Sequence, residues 1–575
     1  MNPKNLPVRY LLPLFASLGV VLTDLRSDAG DLLPADGSIQ AAIDHYVDRK
    51  LTTANVAPAP QADDATLIRR LSLDLAGRIP TRPELRDYLG STDPAKRETL
   101  TSRLISSRWY VHHMATVLNG MLRGLGNDGP DLRGYLVKAV HERRPWDRMF
   151  REMLGTAPDP LQPQMFVQGR LTDLDLLTRD VSTLFFGVNI SCAQCHVHPY
   201  VETLTQDHFF GMKAFFTGTY AFEDRLLERR FKVPVVKYAT NEGENREVGM
   251  MFLTGAKIDA PTPPVDDMTK AIEEEQRRID ELTKKNEELK KKKEQDKEAA
   301  GLSLEYPESA EHSLRAQLVE TALSEQNRTM FARAMVNRVW HHFLGYGLVM
   351  RIDQMHEANP ASHPELLDWL ARDFIEHQYD LHRIIRGIVA SQVYSRSSRP
   401  MGGERPSREL FAVANLRPLS PVQYGVSVLT CGDPIWEKSD LGTDDLDRMI
   451  VEAQTRAQQL FGEIMEQPSD DLQISAIEAL TVSNDPDRLK AIGEKLVSRI
   501  VEVEGRRPQL ELAVESVLSR PMTLDEAVLL TEYVVKAQAD LTESQPQPAI
   551  LDRQVATWQQ AIWALTASAE FRFNH

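Results

Sequence analysis

Apolar residues return every three or four positions along most of this chain, which is the spacing of one face of an α-helix. Residues 38–51 show it directly after a serine, with Ile39, Ile43 and Val47 on one stripe. The same period recurs between residues 63 and 216 and again from residue 313 onward. Amphipathic helices must bury their apolar faces against one another. Because 575 residues are enough for several domains, we predict a mainly α, multi-domain helical protein.

Two stretches interrupt the helical period. Residues 231–238 and 248–253 resemble short strands around a polar turn, which predicts a small β element at residues 229–260. Residues 266–300 are almost entirely charged or polar, and Asn286 occupies one position of a heptad seam. The apolar seam positions are Met268, Ile272, Ile279, Leu282 and Leu289. We expect residues 266–300 to form a charged helical or coiled-coil arm, and weak self-association through it.

These interruptions set the expected domain organisation. A helical domain at residues 38–225 is followed by the β element, the arm and a C-terminal helical domain at residues 308–575. Residues 1–30 have the layout of a signal peptide, with Lys4 and Arg9 ahead of an apolar run at residues 10–23. No clean small-residue cleavage site follows the run. We therefore expect an exported protein, periplasmic or at the cell surface, with residues 1–30 removed as a signal peptide or kept as a membrane tether.

Composition limits the classes of partner. The formal net charge is −16, with 42% hydrophobic and 26% charged residues, which is typical of a globular chain. Phosphate backbones attract basic surfaces, so this charge argues against nucleic acid as a partner. An acidic surface instead suits contact with a basic redox partner protein.

The most specific chemical motif is C-x-x-C-H at residues 192–196, which holds two of the three cysteines. This pattern attaches c-type haem, because the two thiols can form thioethers to one porphyrin and the histidine can reach the iron. Cys192 and Cys195 are thus the expected attachment points and His196 the proximal iron ligand. The sequence does not choose the distal or extra ligand, for which the candidates are His198, His208, Met212, Met165, His112 and His113.

Two other interpretations of the motif stay open. Cys192, Cys195, His196 and His198 are all zinc-compatible ligands, although structural zinc sites usually gather two separated pairs. The two cysteines also suit a plain disulfide in an oxidising compartment. Cys431 is expected to be a buried small apolar residue without a chemical role.

Several longer motifs resemble those of a family of exported planctomycete-type proteins with paired domains of unknown function. Residues 68–81 resemble the opening signature of the N-terminal domain, and the motif with His198, Pro199 and residues 207–212 resembles its second signature. Matches to the partner domain and its tail lie at residues 337–348, 362–369, 379–385, 518–521 and 570–574. One departure stands inside the motif: where the family usually has an acidic residue between the two histidines, this chain has Val197.

The resemblance implies an association with cytochrome c for the N-terminal domain, but no activity for either domain. The chain has no G-x-S-x-G, Gly-rich phosphate loop or H-E-x-x-H, so no local motif supports a hydrolase and we assign no catalytic residue. The expected function is that of an exported haem-c-type redox or electron-transfer accessory protein. The alternative is a non-catalytic cell-surface scaffold or binding protein, in which the cysteines form a disulfide or hold a metal.

Overall fold

The computed structural model describes residues 32–124, 129–156, 163–259, 265–295, 301–438, 441–465, 493–543 and 549–575. The expected signal peptide or anchor at residues 1–30 lies outside these residues. The mainly helical prediction is confirmed. Ten helices precede the first strand in this part of the chain: α1 (Ile39–Ala54), α2 (Asp64–Ala76), α3 (Arg82–Gly90), α4 (Lys96–Ile105), α5 (Arg108–Leu122), α6 (Arg133–His141), α7 (Trp146–Met153), α8 (Met165–Gln168), α9 (Leu174–Phe186) and α10 (Gln206–Ala214).

Two antiparallel hairpins and one long helix separate these helices from the second half. The hairpins are β1 (Thr219–Phe222) with β2 (Arg225–Glu228), and β3 (Val236–Ala239) with β4 (Asn245–Val248). The strand prediction for residues 231–238 is correct only at its end, and that for 248–253 is correct only at Val248, where β4 ends. The first hairpin was missed because residues 219–228 read as the end of the helical domain.

The charged arm is the helix α11 (Met268–Gln295), and part of its apolar seam packs inside the molecule. Ile279 and Leu282 are buried against Phe222 of the first hairpin. Asn286 is also buried: its amide donates to the Glu305 carbonyl at 2.8 Å and accepts from the Glu305 N–H at 3.1 Å. The central seam is therefore occupied by the chain itself, and any self-association would have to use the rest of the helix.

The second half is again helical. Its described elements are α12 (Leu314–Leu323), α13 (Arg328–Leu344), α14 (Pro364–Glu376), α15 (Leu381–Ala390), β5 (Arg417–Pro418), α16 (Pro421–Thr430), α17 (Thr443–Phe461), α18 (Glu494–Glu502), α19 (Arg506–Leu518), α20 (Leu524–Glu543), α21 (Ile550–Thr566), α22 (Ala569–Arg572) and β6 (Phe573–Asn574). None of the helices described from residue 32 onward combines the length and apolar character needed to cross a bilayer.

Side-chain caps explain where many helices begin. Ser38, Asp63 and Thr81 each accept a backbone N–H from the first turn of the helix that follows. Thr81 and Glu84 form a complete capping box. α14 has no such cap: it starts after His363, and the nearby Ser362 hydroxyl donates to the Leu348 carbonyl at 3.2 Å.

The hydrophobic interior joins the two halves. The larger of the two main clusters contains residues of both halves, from Ile39 on α1 to Ala457 on α17. The smaller cluster packs the last helices and Phe571 around Leu73 of α2. Strand β6 pairs antiparallel with β5, so the end of the chain is joined to the segment between α15 and α16. This shared interior positions loops of both halves next to each other at the C-x-x-C-H motif.

Candidate functional site

The motif follows directly on a buried helix. α9 ends at Phe186 and is capped by Gly187, whose φ of 69° is the left-handed conformation that favours glycine. The chain then forms a short 3₁₀ turn over Ser191–Gln194, with Cys195 at its end. The Gln194 amide donates to Asp175 at 3.0 Å, and the Gln206 amide donates to the Gln194 carbonyl at 3.3 Å. The turn that carries both cysteines is thus held on both sides by helices α9 and α10.

A loop from the second half clamps the same segment. The Asn189 N–H donates to the Asp353 carbonyl, and the Met355 N–H donates to the Gly187 carbonyl, both at 2.9 Å. Val188 and Gln354 form an antiparallel bridge between these two bonds. A Cβ at position 187 would lie 2.6 Å from the Met355 sulfur, so glycine is required by this close approach as well as by its φ. The motif therefore lies where the two halves meet.

The three motif side chains are accessible. Cys192 and Cys195 are exposed free thiols, and His196 is exposed beside them. His196 Nδ1 is 2.6 Å from the Val197 carbonyl oxygen. Because a carbonyl can only accept, Nδ1 carries the hydrogen of the neutral ring and Nε2 is left with its lone pair. A histidine that ligates a metal is commonly oriented in this way.

Two more rings lie beside the motif. The first is His198, which is buried. Its backbone N–H donates to the Leu204 carbonyl at 2.9 Å, and its ring Nδ1 is 3.4 Å from the backbone nitrogen of Tyr200. The His356 ring lies edge-on to it with centroids 5.5 Å apart, and Tyr200 stacks on His356 at 6.5 Å. Burial lowers the pKa of His198 and of His356, and the His356 and His196 rings lower that of His198 further. Sequence reasoning missed His356, since only the loop pairing brings it here.

The other candidate ligands occupy different environments. His208 caps α10, with Nδ1 3.2 Å from the Thr205 N–H. Met212 on the same helix is completely buried in the core, whereas Met165 on α8 is exposed. His112 and His113 are buried on α5, where His112 Nε2 lies 3.1 Å from Asp447.

The motif presents its donor groups on one turn. Two accessible thiols and a histidine with a free Nε2 on one turn are the groups that thioether formation and iron ligation use. Within the described residues, no three His, Cys, Asp or Glu side chains are grouped closely enough to hold a metal ion. A cleft of about 930 Å³ also joins the two halves, but it is lined by residues of α1, α4, α14 and α15 and by none of the motif.

A second cluster of polar side chains is centred on Asp74, on the buried face of α2. Arg417 donates two bonds to the Asp74 carboxylate at 2.7 and 2.8 Å. Tyr394 donates to it at 2.8 Å and Asn574 at 2.7 Å. We call these four residues the Asp74 cluster. Asp74 and Asn574 are buried, so the cluster links α2, the second half and the C-terminal strand inside the protein.

Two histidines adjoin the Asp74 cluster, the buried His113 and the half-buried His342. The rings of His113 and His342 lie with centroids 6.3 Å apart, and Arg417 also donates to the His342 carbonyl at 2.7 Å. Burial lowers the pKa of His113 to about 4 and holds that of His342 well below its usual range. Sequence motifs at residues 68–81 and 337–348 contain Asp74 and His342, but their meeting depends on the fold.

Comparison with known families finds one match in each half of the chain. A family model described as a protein of unknown function (DUF1549) matches residues 42–221, and another (DUF1553) matches residues 314–438. The chain therefore contains both of these domains of unknown function, one after the other. The motif lies in the first domain and His356 in the second. Comparisons with curated proteins and with solved structures gave no match.

Proposed function

We propose that this protein is exported and carries a covalently attached haem at Cys192 and Cys195, acting as a redox or electron-transfer accessory protein. The observation that supports the proposal most directly is the accessibility of both free thiols and of His196 on one held turn. An export signal at residues 1–30 would deliver the chain to a compartment where such attachment occurs. The acidic net charge would favour a basic redox partner.

Each residue of the motif has a defined part in this proposal. The Cys192 and Cys195 thiols each add across one vinyl group: sulfur bonds to one carbon, and the thiol hydrogen goes to the neighbouring carbon. Nothing leaves, so the product has the summed mass of protein and haem. His196 Nε2 is the iron ligand, and the Val197 carbonyl keeps the ring oriented through Nδ1. Bound haem would supply one-electron transfer.

The test is expression of the full chain, with residues 1–30, in a host that attaches c-type haem. Intact mass and the visible spectrum are measured on the purified protein. The proposal predicts a mass gain of one haem and a Soret band. A protein that is two hydrogens lighter than the reduced chain and has no visible absorption would overturn it in favour of a disulfide.

A cell-surface scaffold or binding protein is the second candidate, and the last two long helices favour it. Six large apolar side chains on α20 and α21 are exposed to solvent: Leu524, Val528, Leu529, Val535, Ile550 and Leu551. Surfaces of this kind often mark contacts with other proteins. If the mass measurement shows a disulfide and no haem, this candidate becomes the leading one.

A further inference from the structure

His356 has a feature that the fold alone does not explain. Its Nε2 is 3.2 Å from the Gln354 side-chain oxygen, which can only accept, so Nε2 carries the ring hydrogen. The lone pair is then on Nδ1, and this atom is buried with no hydrogen-bond partner in the described part of the chain. Buried polar atoms in native proteins almost always have a partner, so one without needs an explanation.

The arrangement of this ring matches what a ligating imidazole requires. One nitrogen is anchored as a donor to a fixed oxygen, and the other keeps a free lone pair. His198 differs, because its Nδ1 already faces the Tyr200 N–H at 3.4 Å and its backbone is tied to Leu204. Of the two rings beside the motif, only His356 has an uncommitted buried nitrogen.

Tyr200 lies parallel to His356 without being part of the core. The two rings are nearly parallel, with 10° between their planes, and the tyrosine side chain is 71% exposed. Tyr200 can therefore turn away from His356 at little packing cost. The bonds between residues 187–189 and 353–355 hold the His356 loop next to the motif throughout.

We infer that His356, from the second domain, is the second iron ligand of the haem site whose first ligand is His196. The inference rests on the proposed function. The iron site then takes one ligand from each matched domain, so a chain with the first domain alone would attach haem but lack the second ligand. His198 has a positioning role, because its buried ring packs edge-on against His356.

The experiment compares wild type with His356→Ala, each expressed in full length with haem-attachment machinery. His312→Ala is the matched control, since His312 is an exposed histidine without a described side-chain contact. All three should gain one haem by mass. Wild type and His312→Ala should show a low-spin spectrum, and His356→Ala a high-spin spectrum that free imidazole converts back to low spin.

The outcomes separate this inference from the proposed function. Haem on every variant with an unchanged spectrum in His356→Ala would overturn the role of His356 and leave attachment intact. If wild type carries no haem, the proposed function fails, and the purified proteins are titrated with free iron protoporphyrin. A low-spin complex that is lost in His356→Ala would still support the ligand role, and its absence in wild type would overturn that too.

Discussion

The C-x-x-C-H turn and the Asp74 cluster both gather chemically capable side chains at the junction of the two halves, but they differ in access. In the cluster, the carboxylate of Asp74 is buried and receives four hydrogen bonds from three side chains. At the turn, both thiols are free and, like His196, exposed to solvent. Groups that satisfy one another inside a protein hold it together, whereas accessible groups can act on something else. Reactive residue types alone do not identify a site.

The largest effect should come from breaking the Asp74 cluster. Asp74→Asn removes the charge opposite Arg417 and leaves a guanidinium in the interior, which costs about 3–5 kcal/mol for a buried pair. Asp131→Asn is the matched control, because Asp131 also receives a forked arginine, Arg133, but at the surface. It should cost less than about 1 kcal/mol. Denaturant unfolding measures both, and equal losses would contradict the structural role of the cluster.

Acid should weaken the same interior. Burial lowers the pKa of His113 in the folded protein to about 4, below the usual value of 6.5. Between pH 4 and pH 6.5 this histidine is therefore protonated in the unfolded chain but neutral in the folded protein. The free energy of unfolding therefore falls as the pH drops from 6.5 to 4, by about 3 kcal/mol from this residue. His113→Asn should flatten the pH dependence by that amount in denaturant unfolding at several pH values. An unchanged slope would show that His113 is accessible to solvent protons.

A smaller difference should separate two similar helix caps. Arg78 with Thr81 and Glu84, and Arg520 with Thr523 and Glu526, form the same arrangement at α3 and α20. Glu84→Ala should cost about 2 kcal/mol, because it strands a buried arginine.

Glu526→Ala should cost only about 1 kcal/mol, since Arg520 keeps a second carboxylate, Glu570, at 2.5 Å. Thermal unfolding of the two variants measures the difference between their stability losses. A larger loss of stability for Glu526→Ala than for Glu84→Ala would mean that burial does not determine which cap contributes more to stability.

Local sequence features predicted much of this fold. The helix over Leu174–Phe186 lies within residues 63–216, where apolar spacing predicts helices, and such spacing depends on near neighbours only. The resemblance to paired domains of unknown function matched the two family models. The first β hairpin was not predicted, because β1 and β2 have four residues each and an alternating pattern this short does not identify a strand.

The site was only half predictable, for a physical reason. Cys192, Cys195 and His196 are adjacent in sequence, so their proximity needs no fold. His356 reaches His198 from 158 positions away through a two-bond loop pairing. In the same way, no residue near Asp74 in the sequence predicts its hydrogen bonds with Arg417 and Asn574. Contacts of this range depend on the packing of whole helices, which periodicity does not specify.

The most direct test of the account compares covalent haem on three full-length proteins by intact mass: wild type, Cys192→Ser with Cys195→Ser, and Cys431→Ser. Cys431 is the matched control, because it is a buried thiol whose pKa burial raises to about 12. Attachment through Cys192 and Cys195 predicts one haem on wild type and on Cys431→Ser, and none on the double variant. No haem on wild type, or haem that survives in the double variant, would contradict it.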